Sequence, residues 1–585
     1  MKKVRMFFFA LAALMLGACS SDDAIVEGGK GPSWNSDGKG YVNLSIQLPT
    51  QQGTRAWTDD DNFDDGTPAE YDVKDATLIL FAGDEGSETV NSAYAMALNF
   101  SPNGTATDQI STSAKITQEI NSIDAASIKA LVVLNNNNLF TVKDGKLMQD
   151  QTDLTGKTLD ELNDALKSVS ASYSWHANGL LMSNAVMASA QGGTVAPSAA
   201  KVVGPLVKIE ASKIHKTKAE ADVDPAATIY VERAEGKVTV TAEAGNTTAS
   251  KLAYTIIGWA LDNTSKKNFL VRSVKNFDTW KAYKSDKVTG DDYRMVGNAA
   301  IAQGLYRLYW AEDANYSGSL TAADEYVTVG SALATIDNGK MKPADGKTAD
   351  YCFENTTDLA NMHGEHLTRI IVKAQFNGGT SFYTVDDNRE NAAALWTEDA
   401  VKKEVAARLL TDPAIDTWAK KNVKQGQTLS SATDFDITLS TEKAGKRTVA
   451  TVALNATGKA KLNDSPEEFP ANAAELVNKR IALAYYEGGA AYYPVYIAHF
   501  GQAQTPWEAD YETGNGLYND NSQRYLGRFG VVRNNWYEVS VTSIKALGSP
   551  TVTEVAGDEA DKKESYIAVR INVLSWAKRA QSVEL

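Results

Sequence analysis

Cysteine is almost absent from this sequence, which has only two, Cys19 and Cys352, among 585 residues. Cys19 lies in an N-terminal export signal, and Cys352 alone cannot form an intramolecular disulfide. We therefore expect core packing and strand pairing to supply the stability that many secreted proteins take from disulfides.

Positive charge is in deficit as well. Lys and Arg number 58 against 73 for Asp and Glu, which gives a formal net charge of −15. An acidic surface repels polyanions, so this balance argues against nucleic acid or an anionic membrane as a partner. Beyond the N-terminal signal, no apolar run reaches the length of a transmembrane helix.

Catalytic signatures are also missing. The chain has five histidines, no GxSxG elbow, no GxGxxG after a strand and no complete phosphate-binding loop. The HGEH stretch at 363–366 lacks the HExxH spacing and directly precedes a strand, so its histidines are not expected to share a helical face. We expect no enzymatic activity and no cofactor.

The N-terminus has the pattern of a lipoprotein signal. A basic start precedes the apolar segment 6–16, which is too short to span a bilayer. Leu-Gly-Ala-Cys at 16–19 resembles a lipobox, in which Cys19 is diacylated and becomes the first residue of the mature lipoprotein. Ser-Ser-Asp-Asp at 20–23 is similar to the acidic tag that directs lipoproteins to the surface of bacteroidete bacteria, and 24–40 predicts a tether.

Short β-rich runs dominate the rest of the chain. Segments such as ATLILF (76–81) and IKALVVLNN (128–136) are separated by Asn, Gly, Asp and Ser. This pattern indicates a mainly β protein built of antiparallel sandwiches, with a few short helices. One helix is expected behind a capping box of Thr158 and Glu161, and another within 391–410.

The stretch YVNLSIQL (41–48) predicts a strand with one buried face. Its apolar residues alternate with polar ones and are Val42, Leu44, Ile46 and Leu48. A polar stretch follows at once, in which proteolysis of the Arg55–Ala56 bond would release the strand. Its removal would leave unpaired backbone groups and an apolar slot, which together form a template for another strand.

A segment near the C-terminus has the same alternation. Its apolar residues are Ile567, Val569, Ile571 and Val573. A strand of this pattern could replace strand 42–48 without misplacing a face, because side chains alternate with a period of two. Three interpretations stay open. Residues 566–574 are the last strand of their own domain, or they are a donor strand, alone or together with 576–585, or the donor lies in 576–585 alone. A donor should be loosely held in the monomer, with position 571 accessible.

Several stretches of the chain resemble the type V pilins (FimA/Mfa-like fimbrillins), which are lipoprotein-derived fimbrial subunits of bacteroidete bacteria. The resemblance is most marked to the shaft subunit of the minor (Mfa) fimbrium. The stretches that carry it are IKALVVLNNN, VERAEGKVTV, YRLYWAEDANY, YCFENT, FGVVRNNWYEVSVTSIKALG and SYIAVRINVLSWAKRAQSVEL. The likeness is scattered over most of the chain and is densest in its last sixty residues.

The resemblance implies two tandem β-sandwich domains of transthyretin-like type and assembly by strand exchange. An arginine-specific protease is expected to cut after Arg55, so that Ala56 begins the mature subunit and a neighbour's C-terminal segment fills the vacated groove. The expected parts are a lipoprotein signal (1–19), a propeptide with tether and removable first strand (20–55), an N-terminal sandwich (56–245) and a C-terminal sandwich ending in the donor segment (246–585).

The resemblance also implies partners and a location. The partners are other copies of the chain, accessory anchor and tip subunits, the protease, and host or bacterial surface ligands. The chain is expected to travel as an outer-membrane lipoprotein precursor and to end in a cell-surface fimbrium that supports adhesion.

An alternative function is that of a surface-anchored lipoprotein that binds glycans or proteins and does not polymerise. An exposed aromatic platform would favour it, and AAYYPVYIA (490–498) with Trp507 is a candidate, although tyrosines that alternate in a strand usually belong to the core. A removable first strand together with a strand-like C-terminus favours the repeating shaft subunit.

A weak calcium candidate lies in the middle of the chain. Residues of an EF-hand-like loop fall at positions 1, 3, 5, 6, 8 and 12 and are Asp313, Asn315, Ser317, Gly318, Leu320 and Asp324. Position 12 is Asp rather than the bidentate Glu, and no clear helix follows. The stretch also belongs to the pilin-like segments, where it is interpreted as a structural turn.

Overall fold

The structure is a computed structural model, which describes residues 31–48, 70–98, 113–167, 179–285 (except 244, 246, 249 and 250), 292–320 (except 303 and 319), 325–328, 341–389, 395–505, 523–552 and 567–574. The prediction of a mainly β protein is confirmed. The strands of the first part are β1 Lys39–Gln47, β2 Ala76–Gly83, β3 Thr89–Ala95, β4 Ser113–Asn121, β5 Ser127–Leu134, β6 Thr141–Lys143, β7 Lys146–Gln149, β8 Thr152–Asp153, β9 Met182–Asn184, β10 Met187–Ala188, β11 Val202–Val203, β12 Val207–Lys208 and β13 Ala227–Arg233.

The remaining described strands and the helices follow in chain order. The strands are β14 Glu235–Ala242, β15 Tyr254–Asp262, β16 Thr264–Ser265, β17 Lys284–Ser285, β18 Asp292–Tyr293, β19 Val296–Ala302, β20 Leu305–Leu308, β21 Tyr326–Val327, β22 Asp345–Phe353, β23 Arg369–Phe376, β24 Phe382–Val385, β25 Phe435–Leu439, β26 Lys446–Arg447, β27 Val449–Leu454, β28 Leu483–Tyr486, β29 Ala490–Tyr496, β30 Trp536–Ile544 and β31 Ile567–Leu574. The helices are α1 Leu159–Leu166, α2 Lys218–Asp222, α3 Phe277–Trp280, α4 Glu398–Leu410, α5 Pro413–Asn422, α6 Ala456–Ala460, α7 Ala473–Asn478 and α8 Gly501–Gln504.

The first sheet contains eight strands in the order β3-β2-β5-β9-β13-β1-β4, with β12 paired to β5. Strands β2 and β5 are apolar at nearly every position because both of their faces are covered. One face packs in a core with Val42 and Ile229, and the other packs in a second core with Trp280 and Trp310. The first sheet is therefore an interior layer.

A sandwich forms in the second part of the chain. Sheet β22-β14-β30-β31 packs against sheet β15-β23-β29 through one shared apolar core. The chain passes from the first sheet to this sandwich at Ala234, since β13 pairs in the first sheet and β14 pairs in the sandwich. The boundary predicted near residue 245 falls after β14. Strand β10, before this boundary, pairs with β20, after it, so the division into two domains stays a prediction.

A module not anticipated from the sequence lies between β23 and β29. This inserted module spans 382–486, contains α4 to α7, and has a core of its own around Val401, Val405 and Leu409. These three residues form the buried face of α4, as their spacing predicted. The Thr158–Glu161 capping box of α1 is likewise present, with both reciprocal hydrogen bonds formed.

Within the described residues, no helix combines the length and apolar character needed to cross a membrane. The described part of the chain also contains no group of three His, Cys, Asp or Glu side chains arranged to hold a metal ion.

Candidate functional site

Strand β1 occupies an internal slot of the first sheet. It pairs antiparallel with β4 over nine residue pairs, from Lys39↔Asn121 to Gln47↔Ser113. On its other side it pairs in parallel with β13, from Leu44↔Ala227 to Gln47↔Tyr230. Among the described strands, β4 lies at the edge of the sheet and pairs only with β1. Loss of β1 would therefore separate β4 from β13.

The apolar face of β1 is fully buried, as predicted. Val42, Leu44 and Ile46 have no exposed surface, and Leu48, just past the strand, is 2% exposed. All four belong to the core formed with β2, β5 and β13. Each such side chain contributes about 1.5–3 kcal/mol when buried.

The middle of the opposite face of β1 is buried too, which corrects the prediction of a strand with one buried face. Asn43 is 4% exposed and Ser45 is 8% exposed. Helix α2 packs against β1 on this side. The side-chain amide of Asn43 donates to the backbone carbonyl of Asp222 over 3.0 Å, and the backbone carbonyl of Asn43 accepts from Ala226 N over 2.8 Å. A sequence signal for this helix existed in the Thr217-x-x-Glu220 capping box, which the structure confirms as the N-terminus of α2.

A backbone bridge holds the beginning of β1. Tyr41 N donates to the carbonyl of His215 over 2.8 Å, and His215 N donates back over 3.0 Å. The Tyr41 hydroxyl donates to Glu119 over 2.7 Å, and this hydrogen bond raises the pKa of Tyr41. The His215 ring contacts Asp224 over 2.9 Å. The segment around α2 thus holds β1 through backbone as well as side-chain contacts.

A charged cleft opens at the end of β1. Leu48 forms part of its lining together with Glu232, Arg272, Arg307 and Arg533. Arg272 binds Glu232 through two hydrogen bonds of 2.9 Å. Burial raises the pKa of Glu232 despite this pairing. A strand that continued past Leu48 would run from the apolar slot into this cleft.

The predicted processing residues lie outside the described residues. They are Cys19, Arg55 and Ala56. The lipidation and cleavage assignments therefore stay predictions.

The C-terminal segment forms strand β31, which pairs antiparallel with β30 at the edge of its sheet. The register runs from Trp536↔Leu574 to Ile544↔Ile567, with a bulge between Val541 and Ser543. In the described residues β31 has one neighbour in the sheet, whereas β1 has two.

The apolar residues of β31 contribute to the core of its own sandwich. Ile567 and Val569 are each 1% exposed, and Ile571 is 4% exposed. Val573 lies in the strand, but its side chain is not among those described. The expectation that position 571 is accessible in the monomer is therefore wrong, because β30 and the facing sheet cover it.

The polar faces of β1 and β31 differ in bulk. Aligning Ile571 with Ile46 puts Arg570 at the position of Ser45. The Arg570 side chain is 41% exposed and lies 3.3 Å from Glu243 at the edge of its sheet, whereas Ser45 is enclosed. The apolar faces are interchangeable, but the other face would have to admit a guanidinium.

Residues 484–582 match the family model described as "Major fimbrial subunit protein type IV, Fimbrillin, C-terminal". The C-terminal region of this chain is fimbrillin-like. The match extends from β28 past the end of β31, so it includes the segment with the donor-strand pattern. It supports a structural role as a fimbrial subunit at the cell surface, associated with other fimbrial subunits and with adhesion.

Solved structures with some likeness to this fimbrillin-like chain include a fimbrilin (FimA) from Porphyromonas gingivalis. The two are 12% identical, with 92% of this chain and 99% of the other covered and a TM-score of 0.33. A fimbrial assembly protein from Parabacteroides distasonis is 9% identical over 58% of this chain and 82% of its own, with a TM-score of 0.25. The C-terminally truncated tip fimbrial protein Mfa3 from Porphyromonas gingivalis is 8% identical over 58% and 79%, with a TM-score of 0.23. At TM-scores this low the likeness does not extend to function. No curated protein matches the sequence.

The calcium candidate is a tight turn that begins at the buried residues Asp313 and Asn315. Asp313 accepts from Asn315 N over 3.0 Å, and the Asn315 amide donates to Ser265 over 2.8 Å. Burial raises the pKa of Asp313 well above its usual range, which favours the neutral acid over a charged ligand. Ser317 is exposed, and Asp324 lies outside the described residues.

The aromatic platform considered for a binding protein is not on the surface. Tyr492, Tyr493 and Tyr496 are 3%, 2% and 9% exposed. Tyr493 packs in the sandwich core, Tyr492 packs with Ile371 on the outer face of the sandwich, and Tyr496 packs in a separate cluster with Met362. Trp507 lies outside the described residues.

Proposed function

We propose that this fimbrillin-like chain is the structural shaft subunit of a type V fimbrium. In this proposal it is exported as a lipoprotein through Cys19, cut after Arg55 by an arginine-specific protease, and polymerised when a neighbour's C-terminal segment replaces β1. The observation that carries the proposal is the internal position of β1, buried on both faces and bonded to two strands.

The difference between the two strands gives the exchange a direction. While β1 is in place, the slot is full and β31 is paired along one side. Cleavage would allow β1 to leave, and a strand that then moved from the edge position of β31 into the slot would gain a second hydrogen-bonded neighbour. The unpaired backbone groups of β4 and β13 would be satisfied at the same time, and such groups are costly when buried.

The hydrophobic terms in this exchange nearly cancel. Filling the slot with four apolar side chains contributes roughly 6–12 kcal/mol of gross stabilisation. When β31 leaves β30, the sandwich core around Ile567, Val569 and Ile571 is opened, and the loss of stabilisation is comparable. We infer that the second ladder of hydrogen bonds, together with loss of the released peptide, favours the polymer.

Substitution of the cleavage residue tests this proposal. Arg55→Ala should yield a lipidated, full-length precursor at the cell surface and few or no filaments, whereas Gln52→Ala in the same polar stretch should assemble normally. N-terminal sequencing of filaments sheared from wild-type cells should begin at Ala56. Normal filaments from Arg55→Ala, beginning at another residue, would overturn the assignment.

A further inference from the structure

A cleft separates the inserted module from the outer face of the sandwich. It holds about 270 Å³, near the lower end of the volumes typical of small-molecule sites. Its floor is formed by neighbouring residues of β23 and β29: Lys373 is paired with Tyr492, and Gln375 is paired with Ala490. The opposite faces of these strands form the sandwich core, so the floor rests on a rigid support.

Two close backbone approaches fix the walls of the cleft. Gly445, at φ +72°, lies against Pro550, where a Cβ atom would collide with the proline ring. Its carbonyl accepts from Tyr485 N over 2.7 Å. At the other end, Gly489, at φ +70°, approaches the carbonyl of Phe376 too closely for any side chain. Because only glycine fits both positions, module and sandwich are held at a defined separation.

Three side chains of the cleft lining are held by neighbouring groups. The Arg447 guanidinium lies 4.0 Å from the Tyr485 ring centroid and orients that ring. The Glu442 carboxylate accepts from the backbone N–H of Gly445. The Gln375 amide donates to the carbonyl of Gly488 over 3.3 Å. The lining is therefore preorganised, which lowers the cost of binding.

The chemistry of the lining suits a neutral ligand rich in hydroxyl groups. Lys373, Gln375 and Thr551 supply donors, while Glu442 and Glu487 supply carboxylate acceptors. A hydroxyl both donates and accepts, so it can use both kinds of group. A strongly anionic ligand would meet the carboxylates, and a strongly cationic one would meet Lys373. The half-buried Tyr485 ring adds apolar surface for the apolar face of a sugar ring.

We propose that this cleft binds a saccharide, at a site that does not involve β1 or β31. The proposal goes beyond filament assembly, since the full-length precursor would bind the sugar before cleavage. A subunit that polymerises and binds no sugar would contradict this inference alone, and one that binds sugar without polymerising would contradict the assembly proposal alone.

Ligand-observed NMR on the full-length precursor tests the site. The probes are the methyl glycosides of glucose, galactose, mannose and N-acetylglucosamine, each at millimolar concentration. At least one should show saturation transfer. Glu442→Gln should weaken its binding about tenfold, the effect of losing a hydrogen bond to a charged group. Glu468→Gln changes an exposed carboxylate of the same module that is not in the lining and should leave binding unchanged.

Replacement of the aromatic wall separates binding from folding. Tyr485→Ala should abolish saturation transfer, while Tyr485→Phe, which keeps the ring, should retain most of it at an unchanged melting temperature. The inference is overturned if none of the glycosides binds or if binding survives Glu442→Gln and Tyr485→Ala undiminished. It is also overturned if a lysine-rich peptide is bound through these carboxylates while no glycoside is.

Discussion

A paired substitution in the first sheet distinguishes a strand that is removed from one that stays. Ile46 on β1 and Ile229 on β13 are register partners, both without exposed surface and both in the same apolar core. Truncating a buried isoleucine to alanine costs about 2–5 kcal/mol, through lost burial and the cavity that remains. In the precursor we expect Ile46→Ala and Ile229→Ala to lower the free energy of unfolding by similar amounts within this range.

The two variants should differ after assembly. If β1 is cut away, the mature filament contains no residue 46, so Ile46→Ala filaments should resist heat and detergent as well as wild-type filaments do. Ile229→Ala filaments keep their defect, because residue 229 would contact whichever strand fills the slot. The measurement is denaturant unfolding of the precursor, followed by the temperature at which purified filaments dissociate in detergent, compared at equal filament mass.

A clear outcome would refute this reasoning. If Ile46→Ala lowered the dissociation temperature as much as Ile229→Ala, β1 would still be present in the filament. Strand replacement would then be wrong, even if cleavage at Arg55 occurred.

Three further substitutions test separate parts of the account. Arg570→Ser should speed filament growth after cleavage, measured by light scattering, because it puts a small side chain where Ser45 is enclosed; slower growth would contradict the alignment of the two strands. Cys19→Ala should abolish lipidation and surface filaments, and ordinary filament levels on those cells would show that the lipid is dispensable. Burial opposes ionisation of Glu88, but the ion pair with Lys129 at 2.8 Å and the hydrogen bond from Gly86 N at 3.1 Å outweigh it and lower the pKa of Glu88 to about 2. The stability that this pairing contributes should be full above about pH 4.5 and should be lost as pH falls toward about 2. The unfolding midpoints of wild type and Glu88→Gln should therefore converge over that range. A difference between the two midpoints that did not depend on pH would contradict the pairing.

The sequence predicted the elements of the candidate site better than their surroundings. The alternation of Val42, Leu44, Ile46 and Leu48 defined β1 to within a few residues, because a period of two has few alternatives. It could not show that Asn43 and Ser45 are buried as well, since the cover comes from α2, nearly two hundred residues away in the chain. The parallel pairing with β13 was invisible for the same reason.

The position of the C-terminal strand is a different kind of miss. A pattern of alternate apolar residues states that one face of a strand is buried, but not in which molecule. Residues 567–573 satisfy it at the edge of their own sandwich. The inserted module was missed because its short strands and helices share no single period. The buried face of α4 was nevertheless predicted, from the spacing of Val401, Val405 and Leu409.

The most direct test of the central claim is disulfide trapping of the strand pairing in filaments. Ala114 on β4 is the register partner of Ile46, and Val539 on β30 is the register partner of Ile571. Antiparallel partners have Cα atoms about 4.5–5.5 Å apart, within the range of a disulfide. One variant carries Ala114→Cys with Ile571→Cys, and the other carries Val539→Cys with Ile571→Cys.

In the precursor, the Val539–Ile571 cysteine pair should form an intramolecular bond, and the Ala114–Ile571 pair should form none. In filaments oxidised after assembly we expect the reverse: a ladder of covalent oligomers from the Ala114–Ile571 variant, resistant to boiling detergent without reductant. Replacing Ile571→Cys in that variant by Arg570→Cys, on the other face of the strand, should remove the ladder. An intramolecular Val539–Ile571 bond that forms as readily in filaments as in the precursor, with no ladder from Ala114, would contradict the account.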